Sequence, residues 1–158
     1  MICGLPGAGK STLAKRMESE RNAIRFCPDE WIEPILANPL DVQERDRLRD
    51  PIENLQWELA QTYLQKGLTV ILENGFWAEE ERSLYAMGAL ELGAKIELYY
   101  LQISDDLQRM RIESRNQNLV SPTFVMTFDE ICHGRSVFQP PSVGELAFYD
   151  AWEVIVQG

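Results

Sequence analysis

Apolar residues fall along the chain in short β-branched runs separated by longer amphipathic stretches, with Gly, Pro or Asn at most of the joints. Met1-Ile2-Cys3 reads as the end of a first strand. Residues 11–19 then carry Leu13, Ala14 and Met17 on one side and Arg16, Glu18 and Glu20 outward, the pattern of a surface helix. Residues 24–27 form a second strand closed by Pro28, and residues 30–36 a short helix. Asn38-Pro39-Leu40-Asp41 interrupts the chain before a charged helical segment over 42–49. Pro51 is expected to open a separate helix running to about residue 66, with Leu55, Leu59 and Leu64 apolar and Gly67 as the stop.

Residues 68–72 make the clearest buried strand, because Leu-Thr-Val-Ile-Leu has no polar face to offer to water. Asn74-Gly75 turns the chain into a helix over 78–92, closed by Gly93. Residues 95–101 are the next strand. Ser104 has the character of an N-cap, with Asp105 and Asp106 in the first turn of a helix reaching Arg115-Asn116. Ser121-Pro122 predicts a cap for a helix over 123–132, ended by His133-Gly134. Phe138-Gln139-Pro140-Pro141 is irregular, and residues 152–156 supply a late strand. Strands alternating with helices predict an α/β fold, a mostly parallel sheet covered on both faces, and such sheets bind ligands beyond the carboxyl ends of their strands.

The densest chemistry sits at the start. Gly4-Leu5-Pro6-Gly7-Ala8-Gly9-Lys10-Ser11, with Thr12 next, fills every fixed position of G-x-x-x-x-G-K-[ST]. Converging backbone N–H groups hold a phosphate chain, and side chains at Gly4, Gly7 and Gly9 would block their approach. A helix beginning near Lys10 adds its free N–H groups and dipole. Lys10 is expected to reach the β- and γ-phosphates, and the Ser11 hydroxyl to ligate Mg²⁺.

Composition narrows the partners. A chain of 158 residues is most simply one domain, and no apolar run approaches membrane-spanning length. The phosphate loop follows residues 1–3 directly, leaving no room for a secretory leader. Cys3, Cys27 and Cys132 show no C-x-x-C spacing, which suits free thiols in a reducing cytoplasm. The net charge of −10 argues against broad DNA binding while leaving a nucleic-acid end open. The single histidine, His133, excludes a His-rich metal centre. It is expected to cap a helix end. Oligomeric state is left open.

Further candidates lie near the strand ends. Asp29, after strand two, is the preferred group to orient or deprotonate an acceptor hydroxyl, with helix capping as the plainer role. Glu73 stands where a metal-binding carboxylate follows the strand over 68–72, as an Mg²⁺ or substrate contact. Arg111 and Arg115 share a helical face and suit charge neutralisation on a transferring phosphoryl group; Arg109 lies on another side. Arg135, Gln139 and Pro140 are candidates for the border of a base site. Trp31, Trp57, Trp77 and Trp152 read as core or cleft residues.

This set resembles the small P-loop kinases of the polynucleotide-kinase and zeta-toxin-like group, often grouped with AAA-type ATP-binding domains. The matching pieces are residues 4–12, Asp29, the strand ending at Glu73, residues 109–116 and residues 138–141. The resemblance implies a three-layer P-loop fold with a five-stranded parallel sheet of order 2-3-1-4-5. It also implies a small lid around 109–122 and γ-phosphate transfer from ATP (or GTP) with Mg²⁺. Asp29 would then position the acceptor, and Lys10, Arg111 and Arg115 would serve the phosphates. The base contacts would fall near Gln139 and Pro140. Glu73 departs from the expected Asp. The acceptor stays open among a small molecule, a nucleoside or nucleotide, and a polynucleotide 5′-hydroxyl. A nucleotide-dependent regulatory ATPase is the alternative outside the kinases.

Overall fold

Strands buried on both faces need apolar side chains pointing both ways, and β3 supplies them: Ile71 faces one side and Leu72 the other. The computed structural model describes residues 1–38, 40–118 and 124–157. Its elements are β1 (Ile2–Gly4), α1 (Lys10–Arg21), β2 (Ile24–Phe26), α2 (Pro28–Ile32) with a 3₁₀ turn at Glu33–Ile35, α3 (Val42–Gln65), β3 (Val70–Leu72), α4 (Glu79–Glu91), β4 (Glu97–Ile103), α5 (Asp105–Gln117), α6 (Phe128–Val137), α7 (Val143–Leu146) and β5 (Ala151–Gln157). Every strand pairing is parallel. β2 pairs with β3, and β1, β4 and β5 form a second ladder. The two ladders meet at a bridge between Cys3 and Gly75, where the Gly4 N–H donates to the Gly75 carbonyl (3.0 Å). The resulting order is the expected 2-3-1-4-5, stitched at its centre only where the strands end and the site begins.

Each face of the sheet carries its own core. Ile2, Leu13, Ala14, Met17, Ile71, Leu101 and Ile103 pack beneath α1. Phe26, Leu72, Phe76, Tyr85, Ala86 and Leu98 pack on the other face, beneath α3 and α4. α3 turns toward the sheet with Gln56 and Ala60 buried, while the apolar Leu55 is exposed. The buried Gln56 amide earns that place by donating to the Cys27 carbonyl (3.1 Å).

Two expected boundaries are corrected. Residues 42–49 and the helix expected from Pro51 are one continuous helix, α3, with Pro51 inside it. Proline removes one backbone hydrogen bond, but Leu48 and Ile52 on either side pack on the cluster of Ile32, Leu36 and Phe124, which holds the halves in line. The helix expected over 123–132 instead starts at Phe128, where Thr127 and Glu130 form a capping box, and it runs through His133 and Gly134. Gly134 is a packing residue. A Cβ there would lie 3.0 Å from the Trp77 ring. The cap expected at Ser121-Pro122 lies outside the described residues.

Arg82 is completely buried and donates through Nε and Nη2 to both carboxylate oxygens of Glu145 (2.5 and 2.7 Å), and through Nη1 to the Phe76 carbonyl (2.9 Å). This fork ties α4 to α7 and fixes the loop after β3. Glu145→Ala strands a buried guanidinium, at a cost of about 3–5 kcal/mol. The expected result is a midpoint drop of roughly 10 °C in a thermal melt, taking a few degrees per kcal/mol at this size.

Candidate active site

The phosphate loop is shaped by close backbone approach. Gly4, Gly7 and Gly9 all have positive φ (143°, 81° and 93°). At Gly4 the constraint is absolute, since a Cβ would sit 2.5 Å from the Leu101 carbonyl oxygen on β4. Gly9 stands at the N-cap of α1 without a side-chain cap, so the first-turn N–H groups keep their capacity for an anion. Lys10 folds back over the loop, its Nζ donating to the carbonyls of Gly4 (2.9 Å) and Leu5 (3.1 Å). Burial pulls its pKa down to about 8, against the opposing fields of Asp29 and Glu73.

This loop forms one wall of a cleft of about 1220 Å³ that also receives Ser11, Thr12, Asp29, Glu73, Arg111 and Arg115. Glu73, one residue beyond β3, has a side chain only 1 % exposed, with Oε1 3.3 Å from Nη1 of Arg25. Burial pushes its pKa up, opposed by the Cys27 thiol, Arg25 and the Ser11 hydroxyl. Its Oε2 is buried with no hydrogen-bond partner among the described residues. An orphaned carboxylate oxygen beside the Ser11 hydroxyl fits Mg²⁺, which takes one or two protein oxygens and completes its shell with phosphate and water. Among the described residues no group of three or more His, Cys, Asp or Glu forms a metal cage.

Asp29 is the second residue of α2, after Pro28, and the cap position belongs to Cys27. The capping role considered for Asp29 is therefore corrected. Its carboxylate is half exposed to the cleft and accepts from Nη2 of Arg49 (2.6 Å). Arg111 and Arg115 extend from α5 one turn apart. Arg111 donates to the Gly7 carbonyl and to Gln157 on β5 (both 3.1 Å), so it already touches the phosphate loop. Among the described residues Arg115 makes one long contact, to the Phe124 carbonyl (3.4 Å), and its Nε is buried without a partner; burial lowers its pKa. Arg109 lies over the Phe128 ring, 5.0 Å from its centroid, away from the cleft.

The residues expected to border a base site make these contacts. Gln139 donates its backbone N–H to the Trp77 carbonyl, and its Oε1 accepts from the Glu79 N–H (2.8 Å), which caps α4. Neither Gln139 nor Pro140 lines the cleft. Arg135 pairs with Asp105 outside it. His133 lies within α6, facing the cleft, and ends no helix.

Sequence reasoning missed a second wall. Arg45, Arg49 and Glu53 are spaced four apart on α3, and Glu81 of α4 and Trp77 join them in the cleft. Their spacing was the available signal, hidden by the expected break at Pro51.

A parallel 2-3-1-4-5 sheet whose first strand feeds a G-x-x-x-x-G-K-S loop and a helix defines a P-loop nucleotide-binding fold. The chain belongs to the AAA domain family, whose model AAA_33 matches residues 1–141. No curated protein matches it. Among solved structures it is similar to a candidate kinase of Chloroflexus aurantiacus, with 18 % identity over 98 % of this chain and 85 % of that one and a TM-score of 0.73. A sugar kinase of a Janibacter species matches with 14 % identity over 98 % of this chain and 82 % of that one, TM-score 0.69. Kti12 of Chaetomium thermophilum, solved with ADP-AlF₃, matches with 10 % identity over 99 % and 87 %, TM-score 0.65. At these identities the likeness is one of fold. Among the described residues no helix is long and apolar enough to cross a membrane.

Proposed function

We propose that the protein is a cytoplasmic Mg²⁺-dependent phosphotransferase that moves the γ-phosphate of ATP, with GTP as an alternative donor, to a hydroxyl of a small molecule or nucleotide. One observation carries this reading: a single cleft joins the phosphate loop, an orphaned Glu73 oxygen, the carboxylate of Asp29 and two arginines of α5. The kinase names of two similar structures support it. Ser11 and Glu73 would hold Mg²⁺, which when bound shields charge on the β- and γ-phosphates.

The chain's own groups then divide the work. The loop N–H groups and Lys10 hold the phosphates, Lys10 exchanging its carbonyl partners for phosphate oxygens. Arg111 and Arg115 meet the charge that spreads over the transferring group. Asp29, held by Arg49, accepts the acceptor's hydrogen bond and takes its proton late in transfer. The acceptor oxygen bonds to the γ-phosphorus as the bridging P–O bond breaks, and ADP leaves with that electron pair. A screen of γ-labelled ATP and GTP with Mg²⁺ against nucleosides, sugars, amino alcohols and 5′-hydroxyl oligonucleotides tests the reading. Label in an acceptor supports it, label in oligonucleotides alone selects the polynucleotide alternative, and label only in inorganic phosphate selects the regulatory ATPase.

A pH dependence follows from Lys10. Bound triphosphate favours the charged amine, whose pKa in the free protein is about 8. Nucleotide affinity is therefore flat below pH 8 and falls as pH rises above it, by up to about tenfold per unit until the bound-state pKa is reached. Titration calorimetry in two buffers of different ionisation heat at pH 8.5 should show proton uptake on binding.

A further inference from the structure

We infer that the end of the cleft away from the phosphate loop takes a small polyhydroxylated amine as acceptor, with Glu53 and Glu81 as its specificity-determining residues. This inference rests on the kinase reading. The charges of the cleft sort by element. Lys10, Lys15 and Arg16 of α1 and Arg111 and Arg115 of α5 bring cations to it, with Glu73 and Glu30, the latter paired to Lys15 (3.7 Å), on the same side. The other end, built by α3, α4 and α6, carries the carboxylates of Asp46, Asp50, Glu53, Glu81 and Glu130 beside Asp29. Its two arginines are already engaged. Arg45 pairs with Glu130 (2.7 Å) and Asp46 (2.9 Å), and Arg49 divides itself between Asp29 (2.6 Å) and Glu53 (3.3 Å). Among the described residues Asp50 and Glu81 have no ion-pair partner and both arginines of this wall are committed, which leaves His133 of α6 as its remaining basic side chain, so an anionic acceptor arriving here meets carboxylates. An ammonium group meets the reverse.

Glu53 is the most telling member. Its side chain is 15 % exposed, and one guanidinium serves both it and Asp29. Burial, reinforced by Glu81 and Asp50, pushes its pKa up to about 7, so a cation beside it restores full ionisation. Two further features suit a polyhydroxylated body. Trp77, partly exposed in the cleft, is wedged so tightly that a Cβ at Gly75 or Gly134 would come within 3.1 and 3.0 Å of its ring, which makes a rigid platform for a sugar face. Asn74 lines the same cleft, donating to the Tyr85 hydroxyl (3.4 Å) and keeping an Oδ1 with no partner among the described residues.

The test is phosphate transfer from ATP to matched pairs: glucosamine against glucose, 2-amino-1,3-propanediol against glycerol, and a 5′-hydroxyl oligothymidylate. The amines are expected to exceed their neutral partners at least tenfold in kcat/KM. Glu53→Gln should raise KM for the amines about tenfold, leaving KM for ATP and for the neutral partners unchanged; Glu81→Gln, expected to act in the same direction, decides the matter where the first variant does not fold. Equal use of neutral partners, preference for the oligonucleotide, or an amine KM unmoved by either substitution overturns the amine assignment and leaves the kinase reading standing. ATP hydrolysis with no labelled acceptor in any arm removes both.

Discussion

Lys10→Ala is expected to lower γ-phosphate transfer by about 10²–10³-fold or more, the range seen when one preorganised charge-stabilising donor is removed. The loss is large because nothing nearby replaces the group. Lys10 lies over the loop at Gly4 and Leu5, whereas Arg111 reaches it at Gly7 and Arg115 lies at Phe124, both from α5. The resting protein also shows why the fold survives the change. Lys10 is a partly buried cation whose partners among the described residues are two carbonyls, so its removal trades two hydrogen bonds for the release of a partly desolvated charge. A melting midpoint within about 3 °C of the unmutated protein is expected, in contrast to Glu145→Ala. The substitution should also flatten nucleotide affinity between pH 8 and 10, because the group that titrates there is gone. Transfer at the unmutated rate would remove the phosphate loop from the chemistry.

What was legible from sequence was local in cause. The glycines of residues 4–9 are spaced by the backbone approach itself, and Gly4 proves intolerant of any side chain because β4 lies directly against it. Opposed apolar neighbours such as Ile71 and Leu72 marked the strand as buried on both sides, which with the helices between strands was enough for a parallel sheet. What stayed hidden depended on distant packing. Pro51 breaks an isolated helix, and only the contacts of Leu48 and Ile52 with Ile32, Leu36 and Phe124 show why this one continues. With the break assumed, the face shared by Arg45, Arg49 and Glu53 had no reason to exist. The partner of Gln139 was hidden for a related reason. An amide in a Pro-rich loop serves a base or a bare helix end equally well, and here the end of α4 claims it.

Asp29→Asn is expected to reduce kcat for acceptor phosphorylation by about 10²–10⁴-fold, the contribution of a positioned proton acceptor, with KM for ATP at pH 7 within about twofold. The asparagine keeps a carbonyl for Arg49 to bind, so α2 and α3 stay joined and the loss reports chemistry rather than folding. A second consequence separates this role from a structural one. Asp29 is the largest of the fields that hold the Lys10 pKa up against burial, so neutralising it moves that pKa below its present value of about 8. The decline in nucleotide affinity should therefore begin at lower pH in the variant, with proton uptake on binding already visible at pH 7.5. An Asp29 that merely joined two helices through Arg49 would leave kcat near its original value once the fold was intact. Unchanged transfer, with the affinity profile still breaking at pH 8, would place the acceptor's proton on another group and separate Asp29 from both the hydroxyl and the lysine.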